Sequence, residues 1–128
     1  MSDGARLLEA AQGLLSRAQA PYSRYRVAAA LEDDQGVVHP GVNVESVSFG
    51  LTLCAERNTL FGAIARGARR FRRIAIATDP PGPCLPCGAC RQVLVEHAPE
   101  LVVIIASPEG APVVVFLRDL LPRPFLAF

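Results

Sequence analysis

The sequence predicts an α/β domain in three layers, α/β/α, with helices on both faces of a mixed sheet of about five strands and residues 1–128 forming one unit. Two observations carry that expectation. From Ile74 to Ala106 the chain reads strand, helix, strand, a βαβ unit, and both strands are apolar along their length, so each needs cover on both faces. An amphipathic helical stripe and two short strands come before it. They supply the second helical layer and widen the sheet.

The elements follow in order. Leu7, Ala11, Leu14, Leu15 and Ala18 recur at three- and four-residue intervals, the stripe of an amphipathic helix from about Ala5 to Ala18, which Pro21 ends. Val27 to Leu31 reads as a strand, and Asp33-Asp34-Gln35-Gly36 turns the chain into a second strand from Val37 to about Val44, together a hairpin. A second helix is expected from about Ala55 to Arg66, with Leu60, Phe61 and Ile64 on its inner face and Gly67 as its stop. Then come a strand at Ile74 to Thr78, a Pro/Gly-rich turn at Asp79 to Pro83, a helix from about Gly88 to His97 and a strand at Leu101 to Ala106. Val113 to Leu117 also has the length of a buried strand. There are no repeats and no low-complexity tract.

Composition narrows the function. Half of the 128 residues are hydrophobic and the mean hydropathy is +0.30, which excludes disorder and leaves enough apolar surface for a core without disulfides. Thirteen basic against twelve acidic residues leave a formal charge of +1, too little to hold a nucleic-acid backbone or an acidic membrane. The expected ligand is small. Every Lys/Arg-type charge is an arginine, so neither Schiff-base nor P-loop lysine chemistry is available. No secretory leader and no apolar run of membrane-spanning length is visible, and the expected location is the cytoplasm. In a reducing compartment the four cysteines, Cys54, Cys84, Cys87 and Cys90, read as metal or catalysis before disulfides.

Two motifs carry the chemistry: Cys54-Ala55-Glu56 and Pro86-Cys87-Gly88-Ala89-Cys90. Each precedes or opens an expected helix. Cys87 and Cys90 are one turn apart, so their sulfurs can face one point, and Cys54 can supply a third. Three protein ligands with an open fourth position is how a catalytic zinc is held. Helix N-termini favour the thiolate, the form that binds metal. Glu56 can reach the open side without coordinating, where a general acid/base belongs. The constellation resembles the all-cysteine variant of the zinc-deaminase signature. Other readings of the cysteines are a closed structural cage of Cys54, Cys84, Cys87 and Cys90, or a redox pair of Cys87 and Cys90 alone; a closed cage has no use for Glu56. His39 and His97 lack metal-ligand spacing from the cysteines and read as structural or exposed. The run Arg66, Arg69, Arg70, Arg72, Arg73 reads as a solvated turn before it reads as a nucleic-acid grip.

The strings Asn43-Val44-Glu45, Gly50 to Asn58 and Pro86 to Leu94, with Pro21-Tyr22-Ser23, Val27 to Leu31 and the tail Leu120-Leu121-Pro122 with Phe125, closely resemble the small homotetrameric cytidine deaminases over nearly the whole chain. The resemblance implies one zinc per chain on Cys54, Cys87 and Cys90, with Glu56 shuttling protons. It implies that Asn43 and Glu45 hydrogen-bond the sugar, that the backbone of Ala55 helps read the base, and that Tyr25 and Phe125 contact substrate, Phe125 in a neighbouring subunit's site. It gives Arg57 the task of hydrogen-bonding the sulfurs, whose three charges outweigh Zn²⁺ by about one unit in formal counting. The implied activity is hydrolysis of free cytidine and deoxycytidine to the uracil nucleosides and ammonia, a step of pyrimidine salvage, in a homotetramer with sites at subunit interfaces and with neither nucleic acid nor membrane as partner. Alternatives are a deaminase of an antibiotic nucleoside or a nucleic-acid base, and an inactive zinc-stabilised assembly module. The chain departs from the family pattern at Tyr25, Arg26, Ala28, Ser46, Val47 and Phe49, which touches sugar and subunit contacts and leaves the zinc chemistry alone. Cys84 reads as a spare thiol.

Overall fold

The computed structural model describes residues 1–127. Five strands form one mixed sheet in the order β2-β1-β3-β4-β5: β1 is Arg26–Asp33, β2 Val38–Val42, β3 Phe71–Asp79, β4 Val102–Ile105 and β5 Val113–Phe116. β1 runs antiparallel to both β2 and β3, β3 parallel to β4, and β4 antiparallel to β5. Helix α1 (Asp3–Gln12) covers one face; α2 (Ala55–Ala65) and α3 (Gly88–His97) cover the other. The three-layer α/β/α arrangement with its five-stranded mixed sheet is the one expected.

Strand alternation sorts the core into a thin and a thick half. Ala30, Ala75 and Ala77 face α1 and make a shallow bed for Leu7, Leu8 and Ala11. Burying each of those leucines contributes about 2 kcal/mol. On the opposite face Val27, Leu31, Ile74, Ile76 and Val103 meet Leu60, Ala63, Leu94 and Val95 from α2 and α3. Ser2 caps α1, its hydroxyl accepting from the Ala5 N–H at 3.1 Å.

Three expectations are corrected. Helix α1 ends at Gln12 and not near Ala18, because Gly13 takes the cap and Leu15–Arg17 closes as a single 3₁₀ turn. Phe61 lies outward, 44% exposed, because the stripe α2 buries is Ala55, Glu56, Thr59, Leu60 and Ala63. β5 is an edge strand with three of its four residues exposed, not a strand buried on both faces. A four-residue helix, α4 (Leu117–Leu120), follows it, and Leu117 plugs the core. Among the described residues no helix is long and apolar enough to cross a membrane.

The arginine run is engaged locally. Arg66 donates to His39, Arg69 to the carbonyls of Ile64 and Ala68, and Arg72 to that of Asp34. Arg73 pairs with Glu32 and Asp3. His39 is buried, its Nε2 2.9 Å from Asp33 Oδ2, while His97 is exposed.

Candidate metal centre and pocket

Helices α2 and α3 lie side by side on one face of the sheet with their N-termini together. Cys54 is the N-cap of α2 and Cys87 the N-cap of α3; both have extended backbone, and neither side chain caps its own helix. The Cys54 carbonyl accepts the Asn58 N–H, and the Cys87 carbonyl the Arg91 N–H. Each cysteine therefore starts its helix with its backbone while its sulfur stays free. Cys90, one turn into α3, turns its buried sulfur to the same point. The three ligand atoms all lie within 4.8 Å of one another, and Cys54 Sγ is 3.8 Å from Cys87 Sγ. Cys84 stands outside this group.

The donor set fits a zinc ion. Cys54 is drawn down to about 5, first by hydrogen bonding with Cys90 and then by Arg57, whose Nη2 is 3.4 Å from its sulfur. The same Cys54 contact, with burial second, pushes Cys90 up. Sulfurs packed this closely share one charge among them, and only a cation in their midst lets all three ionise. Soft thiolates gathered this closely suit zinc.

Glu56, in the first turn of α2, is 4% exposed, and burial raises its carboxyl to about 7. It lines a cavity of about 260 Å³ together with Cys54, Cys87 and Ala55. Tyr25, Cys84 and Leu85 also line it, as do Asn43, Glu45, Ser23 and Thr52. Asn43 is buried. Its Oδ1 accepts the Val27 N–H at 3.0 Å and its Nδ2 donates to the Tyr25 carbonyl at 2.8 Å. Glu45 accepts from the Ser23 hydroxyl and from the Tyr22 and Ser23 N–H groups, bonds that hold its carboxyl below the usual range. Both polar side chains are thus fixed before any ligand arrives, each with bonding capacity left over: one Nδ2–H and one Oδ1 lone pair on Asn43 and one carboxylate lone pair on Glu45.

The structure brings Tyr25, Asn43, Glu45, Cys54, Ala55, Glu56 and Cys87 to one cavity, with Cys90 and Arg57 behind it. It does not bring Phe125, which is 60% exposed and pairs its backbone N–H and carbonyl with the side chain of Gln92. Sequence reasoning missed Ser23, which lines the cavity and bonds Glu45 there, and read Cys84 as a spare loop thiol where it is part of the wall. It also missed Arg91, which ties the Pro86 carbonyl at 2.7 Å to that of Leu120 at 3.0 Å and so anchors the loop leading into Cys87.

Three convergent thiols with a buried carboxylate beside them and a small cavity in front define a metal-dependent hydrolytic enzyme of the catalytic-zinc kind. Comparison with known proteins makes this particular. Residues 1–106 match the family model described as the cytidine and deoxycytidylate deaminase zinc-binding region. A cytidine deaminase of Halalkalibacterium halodurans is 43% identical over 111 residues, 86% of this chain and 84% of that one. The crystal structure of cytidine deaminase from Burkholderia pseudomallei superposes with a TM-score of 0.88 at 45% identity, covering 98% of this chain and all of that one. Cytidine deaminase from Mycobacterium tuberculosis superposes with a TM-score of 0.86 at 38% identity, covering 98% of each chain. The chain belongs to the zinc-binding cytidine and deoxycytidylate deaminase family, and Cys54, Cys87 and Cys90 are its zinc ligands.

Proposed function

We propose that the chain hydrolyses cytidine and deoxycytidine to uridine and deoxyuridine, releasing ammonia, with Glu56 as the group that moves the protons. The observation that carries this is Glu56 itself: a carboxyl 4% exposed, raised to about 7, lining a small cavity against the three sulfurs. A group poised there takes and returns a proton near neutral pH. Zinc on Cys54, Cys87 and Cys90 supplies Lewis acidity that makes water acidic near neutrality. Glu56 takes one proton from water and delivers it to N3 of the base, then takes the second from the hydroxyl newly bonded to C4 and passes it to the leaving amine, so that the C4 carbonyl forms as ammonia departs. Ala55, wholly buried at the first position of α2, presents backbone to the base, where a helix start has N–H groups to spare. Arg57 offsets the excess charge of the sulfurs.

Asn43 and Glu45 offer their remaining donor and acceptor to the sugar hydroxyls, and Tyr25 walls the base. A cavity of about 260 Å³ falls just under the range of roughly 300–1,000 Å³ for drug-sized ligands. It suits a nucleoside, and the Glu45 carboxylate repels a continuing phosphate, which favours the free sugar over a nucleic acid. The assembly we infer is a homotetramer with shared sites: Phe125, 60% exposed, does not line the cavity that holds Glu56, while Phe49, 72% exposed, lines an adjoining hollow with Ser23, Glu45 and Thr52 that a neighbouring chain would close. A reducing cytoplasm would keep the thiols available to metal.

The test is Glu56→Gln. The variant is expected to keep its fold and close to one zinc per chain while cytidine turnover, followed by ammonia release, falls about 10²- to 10⁴-fold. Undiminished turnover would place the proton shuttle elsewhere.

A further inference from the structure

Helix α2 carries Cys54 and Glu56, while the sugar-end residues Asn43 and Glu45 follow strand β2. The two elements are joined by three contacts. Thr59, fully buried, donates its hydroxyl to the His39 carbonyl at 2.7 Å. Gly41 lies so close to α2 that an added Cβ would stand 2.6 Å from the Ala55 carbonyl oxygen and from Thr59 N and Cβ. Asn58 Nδ2 donates to the Val42 carbonyl at 2.7 Å.

The third contact differs from the others in where it ends. Asn58 is bonded through its backbone N–H to the Cys54 carbonyl at 3.0 Å and through its side chain to Val42, the residue before Asn43. One residue thus spans from a zinc ligand to the sugar end. Its presence also opposes helix propensity, in which Asn ranks well below Ala, so the Val42 bond is what recommends it there. Beyond Val42 the chain leaves regular sheet pairing. There Val44 exchanges both backbone bonds with Leu53, and Gln19 donates to the Asn43 carbonyl and accepts the Glu45 N–H, so the segment is held by two isolated bridges and by the Asn43 N–H to the Val27 carbonyl.

We propose that Asn58 is a positioning residue that sets the distance between the zinc and Glu56 end of the pocket and its sugar end, acting through Val42 on Asn43 and Glu45. The proposal rests on the nucleoside reading of the pocket. Loss of the bond removes one tie on the 43–45 segment, which its bridges to Gln19 and Leu53 still hold, so the segment shifts slightly relative to α2, which stays packed on the core through Leu60 and Ala63. Binding suffers and chemistry does not.

The experiment compares zinc-loaded wild type, Asn58→Ala and Asn58→Asp by steady-state kinetics on cytidine, by thermal melting and by amide hydrogen exchange. Asn58→Ala gains helix propensity as it loses the bond, so its melting point is expected to stay near that of the wild type. KM is expected to rise about tenfold, the scale of one lost hydrogen bond, with kcat and zinc content unchanged and with faster exchange of the Asn43, Val44 and Glu45 amides. Asn58→Asp, which turns an acceptor toward the Val42 carbonyl, is expected to raise KM further. In a Glu45→Gln background the Asn58→Ala effect should shrink, because coupled residues are not additive. Unchanged KM with unchanged amide protection overturns the proposal, as does a fall in kcat together with zinc loss. A wild type that does not turn over cytidine refutes the nucleoside reading, and the amide exchange then decides the positioning role by itself.

Discussion

Replacing Gly41 with alanine tests how closely β2 and α2 are held. The new Cβ would meet three atoms at 2.6 Å, two of them backbone, where ordinary contact begins at about 3.4 Å. Neither neighbour is the end of a flexible side chain, so strand and helix must part by roughly 0.8 Å. Overpacking of this kind costs about 1–3 kcal/mol, which for a chain of this size lowers the melting point by about 4–12 °C. The same displacement moves Glu56 relative to Asn43 and Glu45, and misplacement on the scale of 1 Å costs up to about 100-fold in rate. Thermal melting with cytidine turnover and metal analysis on the same preparation reads all three. A variant that melts and turns over as the wild type does would refute the close approach of β2 to α2.

Two further substitutions probe other parts of the chain. Asp33 accepts from His39 Nε2 and from the Val37 and Gln35 N–H groups, and these bonds, His39 first, hold its carboxyl below the usual range. Its contribution to stability is therefore complete above the unfolded value of about 4 and is lost as pH falls through the lower folded value. Asp33→Asn should melt below the wild type at pH 7, the gap closing as melts are taken to about pH 3; a gap independent of pH would contradict the pairing. Cys84→Ser should keep one zinc per chain and change turnover by no more than a few-fold, since Cys84 lines the cavity but lies outside the three-sulfur group. Loss of metal would revive the four-cysteine cage.

The metal site was legible because its geometry is local: a Cys-x-x-Cys pair at a helix start fixes two sulfurs within one turn, and a Cys-x-Glu at another supplies the third and the carboxylate. The layers were legible because βαβ order and wholly apolar strands admit few arrangements. What periodicity misread lies where one helix serves two purposes. The buried stripe of α2 includes Glu56 and Thr59, while Phe61 is turned outward, so hydrophobic pattern and burial part company. Contacts such as Asn58 with Val42, Gly41 with Thr59 and Gln92 with Phe125 join residues far apart in sequence, and no local pattern announces them. The long reach of the first stripe was misleading because Leu14 and Leu15 continue the spacing after Gly13 has ended the helix.

Two of the three zinc ligands occupy helix caps. A cap residue has extended backbone and lies just outside the helix, so exchanging one metal-binding side chain for another at Cys54 or Cys87 asks nothing of the helix behind it. Cys90 has no such freedom, being wholly buried among core side chains. A change of ligand at either cap is therefore a change to the metal site alone, whereas a change at Cys90 is also a change to the core.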